Sequence, residues 1–178
     1  MGEDAAWFAI RTQKDFQVAR ILKDVVDDVF FPTEQVRSDT GHTRVRAIIP
    51  HVLFIRTTPS MALEIESRGR RIDDAMPPLW VYRYRRGDNI QRISDSEIAL
   101  LRLLTATDST RCEIYRKTDF EPGQMVRVAS GPFAGYTGSV QRVKRNRHVV
   151  VRIEGICAVL LPFIHPDLLQ PLPTLFKD

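Results

Sequence analysis

The sequence predicts an α+β N-terminal domain followed by a small, all-β C-terminal domain. In residues 1–107, helical periodicities alternate with short apolar or alternating stretches typical of strands. From residue 120 to 178, only short strand patterns separated by glycine and proline turns remain, as in a small β-barrel. Residues 108–119 have no sustained period, which predicts a linker; a short strand at Cys112–Tyr115 is the alternative.

The chain opens with a strand and a helix. Trp7–Ile10 is a short apolar run, and Thr12 predicts a helix cap with Asp15 in the first turn. The helix is predicted over Lys14–Asp28, because apolar side chains recur there at helical spacing. These side chains are Phe16, Ala19, Leu22, Val25 and Val26.

Two strands and a helix form the centre of this domain. Thr43–Ile48 alternates polar and apolar residues, and Val52–Ile55 is apolar throughout. The intervening Pro50-His51 predicts a bent ribbon or bulged hairpin formed by these two strands. Pro59 at a first helical turn and Gly69 at the end bound the next helix, Ser60–Arg68.

Two further strands lead into the last helix of the domain. Leu79–Tyr84 and Ile90–Ile93 flank a turn and are predicted to pair. The sequence from Ser94 to Glu97 is a capping box, and the helix it opens is predicted to reach about Thr107. The element order is therefore β-α-β-β-α-β-β-α, with helices packed on an antiparallel or mixed sheet.

The C-terminal domain is organised around a glycine-rich turn. The strand pattern Phe120–Val128 is followed by Ser130–Val140, in which three glycines relieve steric limits. A basic stretch, Arg142–His148, leads into the strand His148–Ile153, and the apolar run Ile156–Phe163 is predicted to fill the barrel.

Composition narrows the functional classes. The 178 residues carry a net charge of +4, which permits contact with nucleic acid, although a solvated basic surface explains it equally well. The N-terminus has acids where a secretory signal has cations, and no apolar run approaches the roughly 20 residues of a membrane span. We therefore expect a cytoplasmic protein. The two cysteines lack the spacing of a zinc site, and the sequence contains no phosphate-binding loop. We therefore expect that the protein is not an enzyme and binds no cofactor or metal.

The order of these patterns resembles the NusG family of transcription elongation factors. Trp7–Ile10 with its charged helix resembles the opening of the family's N-terminal (NGN) domain, and Ile48–Ile55 resembles its central segment. Ile90–Ile98 resembles the strand that runs into its last helix, and Gly123–Ile153 resembles its KOW module. Within the family, the chain is most similar to the specialised UpxY and RfaH-type regulators of long operons.

The resemblance implies a factor that binds RNA polymerase and suppresses pausing or termination. Its N-terminal domain is expected to dock on the clamp helices of the polymerase through clustered apolar anchors. The matching positions are Trp7, Phe8, Ile49, Val52 and Phe54, although an ordinary core role is the alternative for each. Ile49 and Val52 depart from the aromatic residues that the family often has. If Phe54 is an anchor, Phe54→Ala weakens polymerase binding without a large loss of stability.

The resemblance also implies contacts with nucleic acid. Arg44 and Arg46 lie two residues apart, hence on one strand face, and are candidates for contact with non-template DNA. In the KOW module, a cluster of cations is a candidate for contact with nascent RNA, the polymerase or the ribosome. This cluster is Arg142, Lys144, Arg145 and Arg147. We expect a monomer. The alternative function is a ribosome-associated, RNA-binding KOW protein.

Overall fold

The computed structural model describes residues 2–105, 113–115, 123–143, 145–162 and 164–173. The chain divides into two compact units, Met1–Ala106 and Thr107–Asp178. The predicted mixed α+β class is confirmed, with three α-helices, a 3₁₀ helix at Pro166–Leu168 and thirteen strands among the described residues. Part of the predicted linker forms a strand, Glu113–Tyr115, which corresponds to the alternative that the sequence left open.

The N-terminal unit is built on a sheet whose central strand is β1. One edge of β1 pairs antiparallel with β5, and β5 pairs with β2. The other edge of β1 pairs with two short strands, β6 and β7. The strands of this sheet are β1 (Ala6–Arg11), β2 (Asp28–Phe30), β5 (Val52–Thr57), β6 (Trp80–Val81) and β7 (Arg92–Ile93).

A separate two-stranded ribbon corrects one sequence prediction. The strand β4 (Thr43–Ala47) pairs with β3 (Thr33–Arg37), not with β5 as the predicted bent hairpin requires. A tight turn, in which the Ser38 N–H donates to the His42 carbonyl at 2.8 Å, joins β3 to β4. His51 then takes a positive φ of 66°, and its carbonyl accepts the Thr12 N–H, so the chain turns from the ribbon into the sheet.

The first helix is shorter than its sequence pattern predicts. It spans Asp15–Leu22, and Thr12 is not its cap: the Thr12 hydroxyl donates to the Pro78 carbonyl at 2.8 Å. The N–H groups of Val25 and Val26 both bond to the Leu22 carbonyl, which ends the regular helix and turns the chain towards β2. Val25 and Val26, which the sequence pattern placed on the last turn of this helix, therefore lie outside it.

The other two helices match their local signals. The helix α2 (Pro59–Arg68) has Thr58 as its cap and proline in its first turn. The helix α3 (Asp95–Thr105) begins with the predicted capping box, in which the Glu97 N–H donates to the Ser94 hydroxyl at 3.2 Å. No helix in the described ranges is both long and apolar enough to cross a membrane.

Helices α1 and α2 pack against one side of the sheet, here called the first face. The strand residues of that core are Phe8 and Ile10 from β1 and Leu53 and Ile55 from β5. The cluster is completed by Val18, Ala19, Leu22, Ala62, Ile65, Met76, Leu79 and Val81. Burial of this apolar surface is the main source of stability of the N-terminal unit.

The C-terminal unit is a six-stranded antiparallel sheet of order β13-β9-β10-β11-β12-β8. Gly138 lies where an added Cβ would overlap the carbonyl oxygen of Val150, so close strand packing requires glycine there. Closure of this sheet into a barrel stays a prediction. Its strands are β8 (Glu113–Tyr115), β9 (Met125–Val128), β10 (Thr137–Val143), β11 (Asn146–Ile153), β12 (Cys157–Leu160) and β13 (Leu169–Pro171).

Candidate functional site

The opposite side of the N-terminal sheet, here called the second face, carries a cluster of aromatic rings. Successive strand residues point to opposite sides, and antiparallel partners point to the same side. Phe54 pairs with Ala9 and Phe30, so it lies opposite the first-face residues. The Phe30 and Phe54 rings stack with their centroids 5.9 Å apart. Trp7, two residues before Ala9, lies on the same face.

The structure divides the five predicted polymerase-contact residues between the two faces. Trp7, Val52 and Phe54 lie on the second face, whereas Phe8 lies in the first-face core with no exposed surface. Ile49 precedes β5. Adjacent residues of one strand cannot share a face, so Trp7 and Phe8 do not form one surface. All five are buried, and at most 7% of any of them is exposed. Their contact with the polymerase stays a prediction.

An arginine of α3 covers part of the aromatic cluster. The Arg102 guanidinium carbon lies 4.8 Å from the centre of the Phe30 ring and 5.6 Å from that of Trp7. The same guanidinium forms an ion pair of 3.1 Å with Asp28 of β2. Cation–π attraction and the ion pair act together here, and both partners of the pair are about half exposed, so the contact is modest in energy.

The sequence did not single out Trp80 and Arg11, which lie on the second face. Trp80 of β6 is 51% exposed, and its cross-strand partner Arg11 is also exposed. Arg11 pairs in turn with Val52, so a row of three side chains crosses β6, β1 and β5. The aromatic stretch around Trp80 predicted a strand, but it did not predict which side chain is exposed: Val81 is buried in the first-face core, whereas Trp80 points to the second face and is exposed.

A buried carboxylate holds β6 to helix α2. Glu66 is 3% exposed and accepts hydrogen bonds from the Val81 N–H at 2.9 Å and from both terminal nitrogens of Arg83, at 2.9 and 2.8 Å. Arg70 adds an ion pair at 3.2 Å. The Arg83 hydrogen bonds lower the pKa of Glu66 despite its burial. This network fixes the strand that presents Trp80.

The predicted DNA-contact arginines lie on the β3–β4 ribbon. Arg46 pairs with Glu34, its cross-strand neighbour, with Nε 3.0 Å from the carboxylate oxygen. Arg44 is exposed, and no carboxylate in the described part of the chain lies within ion-pair distance of it. The two side chains share one ribbon face, as predicted, and both line a shallow groove of about 430 Å³ that also contains Phe16. Arg44 is thus the freer cation of the two.

The basic cluster of the C-terminal unit lies at the β10–β11 hairpin. Arg142 and Arg147 are direct cross-strand partners, and Arg145 stands in the turn with a φ of 76°. Like charges placed opposite each other on two strands destabilise the hairpin, and a bound anion would relieve that repulsion. Lys144 lies outside the described residues.

Comparison with known proteins identifies the family. A model of the KOW motif matches residues 122–154, which confirms the predicted KOW module. The transcription termination/antitermination protein NusG of Escherichia coli K12 is 30% identical over 142 residues, covering 75% of this chain and 73% of that protein. The chain belongs to the NusG family. The NusG proteins of Salmonella typhi and Yersinia pestis are 29% and 28% identical over the same length.

Family membership confirms the resemblance drawn from the motif order, and the subgroup within the NusG family stays a prediction. A chain from the crystal structure of the MjSpt4:Spt5 complex, conformation B, aligns over 97% of this chain and 99% of that one. Its identity is 19% and its TM-score is 0.29, which is too low a similarity to carry a conclusion.

Proposed function

We propose that this NusG-family protein is a transcription elongation factor that binds RNA polymerase and suppresses pausing and termination. The observation that carries the proposal is the match over 142 residues to NusG, a transcription termination/antitermination protein. The proposed action is non-enzymatic: the factor binds the polymerase and favours its elongating conformation.

The second face of the N-terminal unit is the proposed docking surface for the polymerase clamp helices. Arginine is among the commonest anchors of protein interfaces, and on this face the half-exposed Arg102 lies over the buried rings of Trp7 and Phe30. The buried rings give the face its shape and rigidity. The partner is proposed to contact the side chains at the edges of the second face and the part of that face that helix α3 does not cover.

The arginines of both units are proposed to add contacts with nucleic acid. Arg44 on the ribbon would attract the non-template DNA strand, and Arg142, Arg145 and Arg147 would attract nascent RNA or a ribosomal surface. Such contacts depend on salt and little on sequence. We propose that the KOW unit closes into a barrel and that this barrel presents Arg142, Arg145 and Arg147.

The finer proposal is that the protein acts on a limited set of operons, as UpxY and RfaH-type factors do, for example operons for polysaccharide synthesis. It works as a monomer in the cytoplasm. A genome-wide map of polymerase occupancy, with and without the protein, separates this role from a general one. Changes confined to a few long operons support the specialised role, whereas changes across most transcripts support the general one.

The direct test is transcription in vitro with RNA polymerase from the source organism on a template with a pause site and a terminator. We expect the protein to shorten the pause and raise read-through. An unchanged pattern at saturating protein contradicts the proposal. Affinity purification tests the ribosome-associated alternative: recovery of ribosomes without polymerase subunits would favour it.

A further inference from the structure

Among the described strand residues of the second face, Trp80 has the most exposed large apolar side chain. The residues that the sequence predicts as anchors there, Trp7, Val52 and Phe54, are at most 5% exposed, whereas Trp80 is 51% exposed. Trp80 lies on the same face, because its register partner is Arg11, two residues beyond Ala9 on β1. Tryptophan and arginine are both among the residue types most enriched at the energetic centres of interfaces.

Most of the charged side chains that the strands place on this face are cations, although Asp95 lines the same groove as Arg56. Alternation along the strands places Arg11, Arg56 and Asp28 on it, and Arg102 lies above it. Asp28 is already paired with Arg102. No carboxylate in the described stretches lies within ion-pair distance of Arg11 or Arg56. A partner that meets this face therefore gains by bringing acidic groups.

We propose that Trp80 and Arg11 form the accessible anchor of the polymerase-docking face and bind a polymerase segment that pairs an apolar side chain with a neighbouring carboxylate. This inference rests on the proposed polymerase binding and names the contact that provides it. The apolar side chain packs on the exposed part of the Trp80 indole, and the carboxylate pairs with Arg11.

The surroundings of Trp80 favour a protein segment over an unpaired base. The row that contains Trp80 and Arg11 continues into buried Val52, and the next row of the same face contains Phe54. Val52 and Phe54 are buried, so the accessible part of the site is the Trp80 indole beside Arg11, and aromatic and arginine side chains are both enriched at protein interfaces. The Glu66–Arg83 network holds β6 in place, so the indole is presented on a fixed strand, which lowers the entropy cost of docking.

The test measures binding of the full-length protein to RNA polymerase purified from the source organism, by anisotropy of a labelled protein. We expect Trp80→Ala and Arg11→Glu each to weaken binding about tenfold or more, and Trp80→Phe to retain most of the affinity. The matched controls are Ile72→Ala, an exposed apolar residue away from the sheet, and Arg20→Glu, an exposed cation on α1 across the sheet. Both controls should bind like the wild type.

The outcomes separate the two proposals. If the wild-type protein does not bind polymerase, both the proposed function and this inference are wrong. If the wild type binds and Trp80→Ala binds equally well, polymerase docking stands and the Trp80 anchor is wrong. If Trp80→Ala loses binding to a single-stranded DNA oligonucleotide but keeps its polymerase affinity, the site serves nucleic acid and the inference is overturned. Melting curves of the variants should match the wild type, because both changed side chains are exposed.

Discussion

Replacing Phe54 by alanine separates a core role from a surface role at the position where the sequence left both open. The Phe54 ring has no exposed surface and stacks on Phe30. Truncating a fully buried phenylalanine costs about 3–5 kcal/mol, which includes the cavity that remains. The variant is therefore expected to lose much of the stability of the N-terminal unit, contrary to the expectation for an exposed anchor.

The size of the effect makes it measurable by thermal unfolding. For a domain of about 100 residues, each kcal/mol lowers the melting temperature by roughly 4–8 °C, so the expected loss is at least about 12 °C. The two tryptophans of the chain, Trp7 and Trp80, both lie in the N-terminal unit, so tryptophan emission follows that unit alone. Phe54→Leu, which keeps the site apolar and mostly filled, should lose less.

The control is Val45→Ala, because Val45 is apolar and 52% exposed on the ribbon. Truncation there should leave the melting temperature nearly unchanged. If Phe54→Ala melts within about 4 °C of the wild type, a loss of about 1 kcal/mol or less, the ring is not buried in solution. In that case a direct contact between Phe54 and the polymerase would be the better explanation of its role.

Three further changes test other parts of the structure. Glu66→Gln removes the charge that Arg83 binds and should cost about 2–3 kcal/mol at pH 7 by urea unfolding. Since the folded-state pKa of Glu66 is lowered, this contribution is complete above the unfolded-state value of about 4.3 and is lost as the pH falls through the folded-state value. The difference from the wild type should therefore shrink at pH 3, and an unchanged difference would contradict the role of charge. Gly138→Ala should strongly destabilise the C-terminal unit, whereas Gly41→Ala, in open space, should cost only the strain of its positive φ; hydrogen exchange distinguishes the two. Ser94→Ala removes the cap of α3 and should cost about 1 kcal/mol, with equal melting temperatures refuting the capping role.

The parts of the fold that the sequence predicted well depend on neighbours close in the chain. The ends of α2 follow from Thr58, Pro59 and Gly69, and the start of α3 follows from the capping box at Ser94. The KOW match at 122–154 corresponds to the predicted unit, because its glycine turns and alternating strands are local patterns. The end of α1 was predicted less well. The turn that ends the helix is formed by backbone hydrogen bonds to the Leu22 carbonyl, whereas the apolar side-chain pattern continues past Leu22.

The candidate site was less predictable, because exposure depends on what packs on each face. The sequence identifies the apolar residues of β1 and β5, but equally apolar neighbours such as Trp7 and Phe8 lie on opposite faces. The β3–β4 pairing was also missed, because two strands, β3 and β5, flank β4 in the chain and either could pair with it. The Arg46–Glu34 ion pair follows from that register and could not be predicted from the spacing of Arg44 and Arg46.

The sequence by itself determined the α+β class, the KOW unit and the family, because these depend on residue types read in succession. The predicted order of elements lacked the strands β2 and β3. Only the tertiary structure decided that Phe54 is buried and Trp80 is exposed, that Arg102 lies over Trp7 and Phe30, and that Glu66 binds Arg83. Each of these contacts joins residues that are distant in the chain. Strand register and helix packing bring them together, and a one-residue change of register would reverse which side chains face solvent.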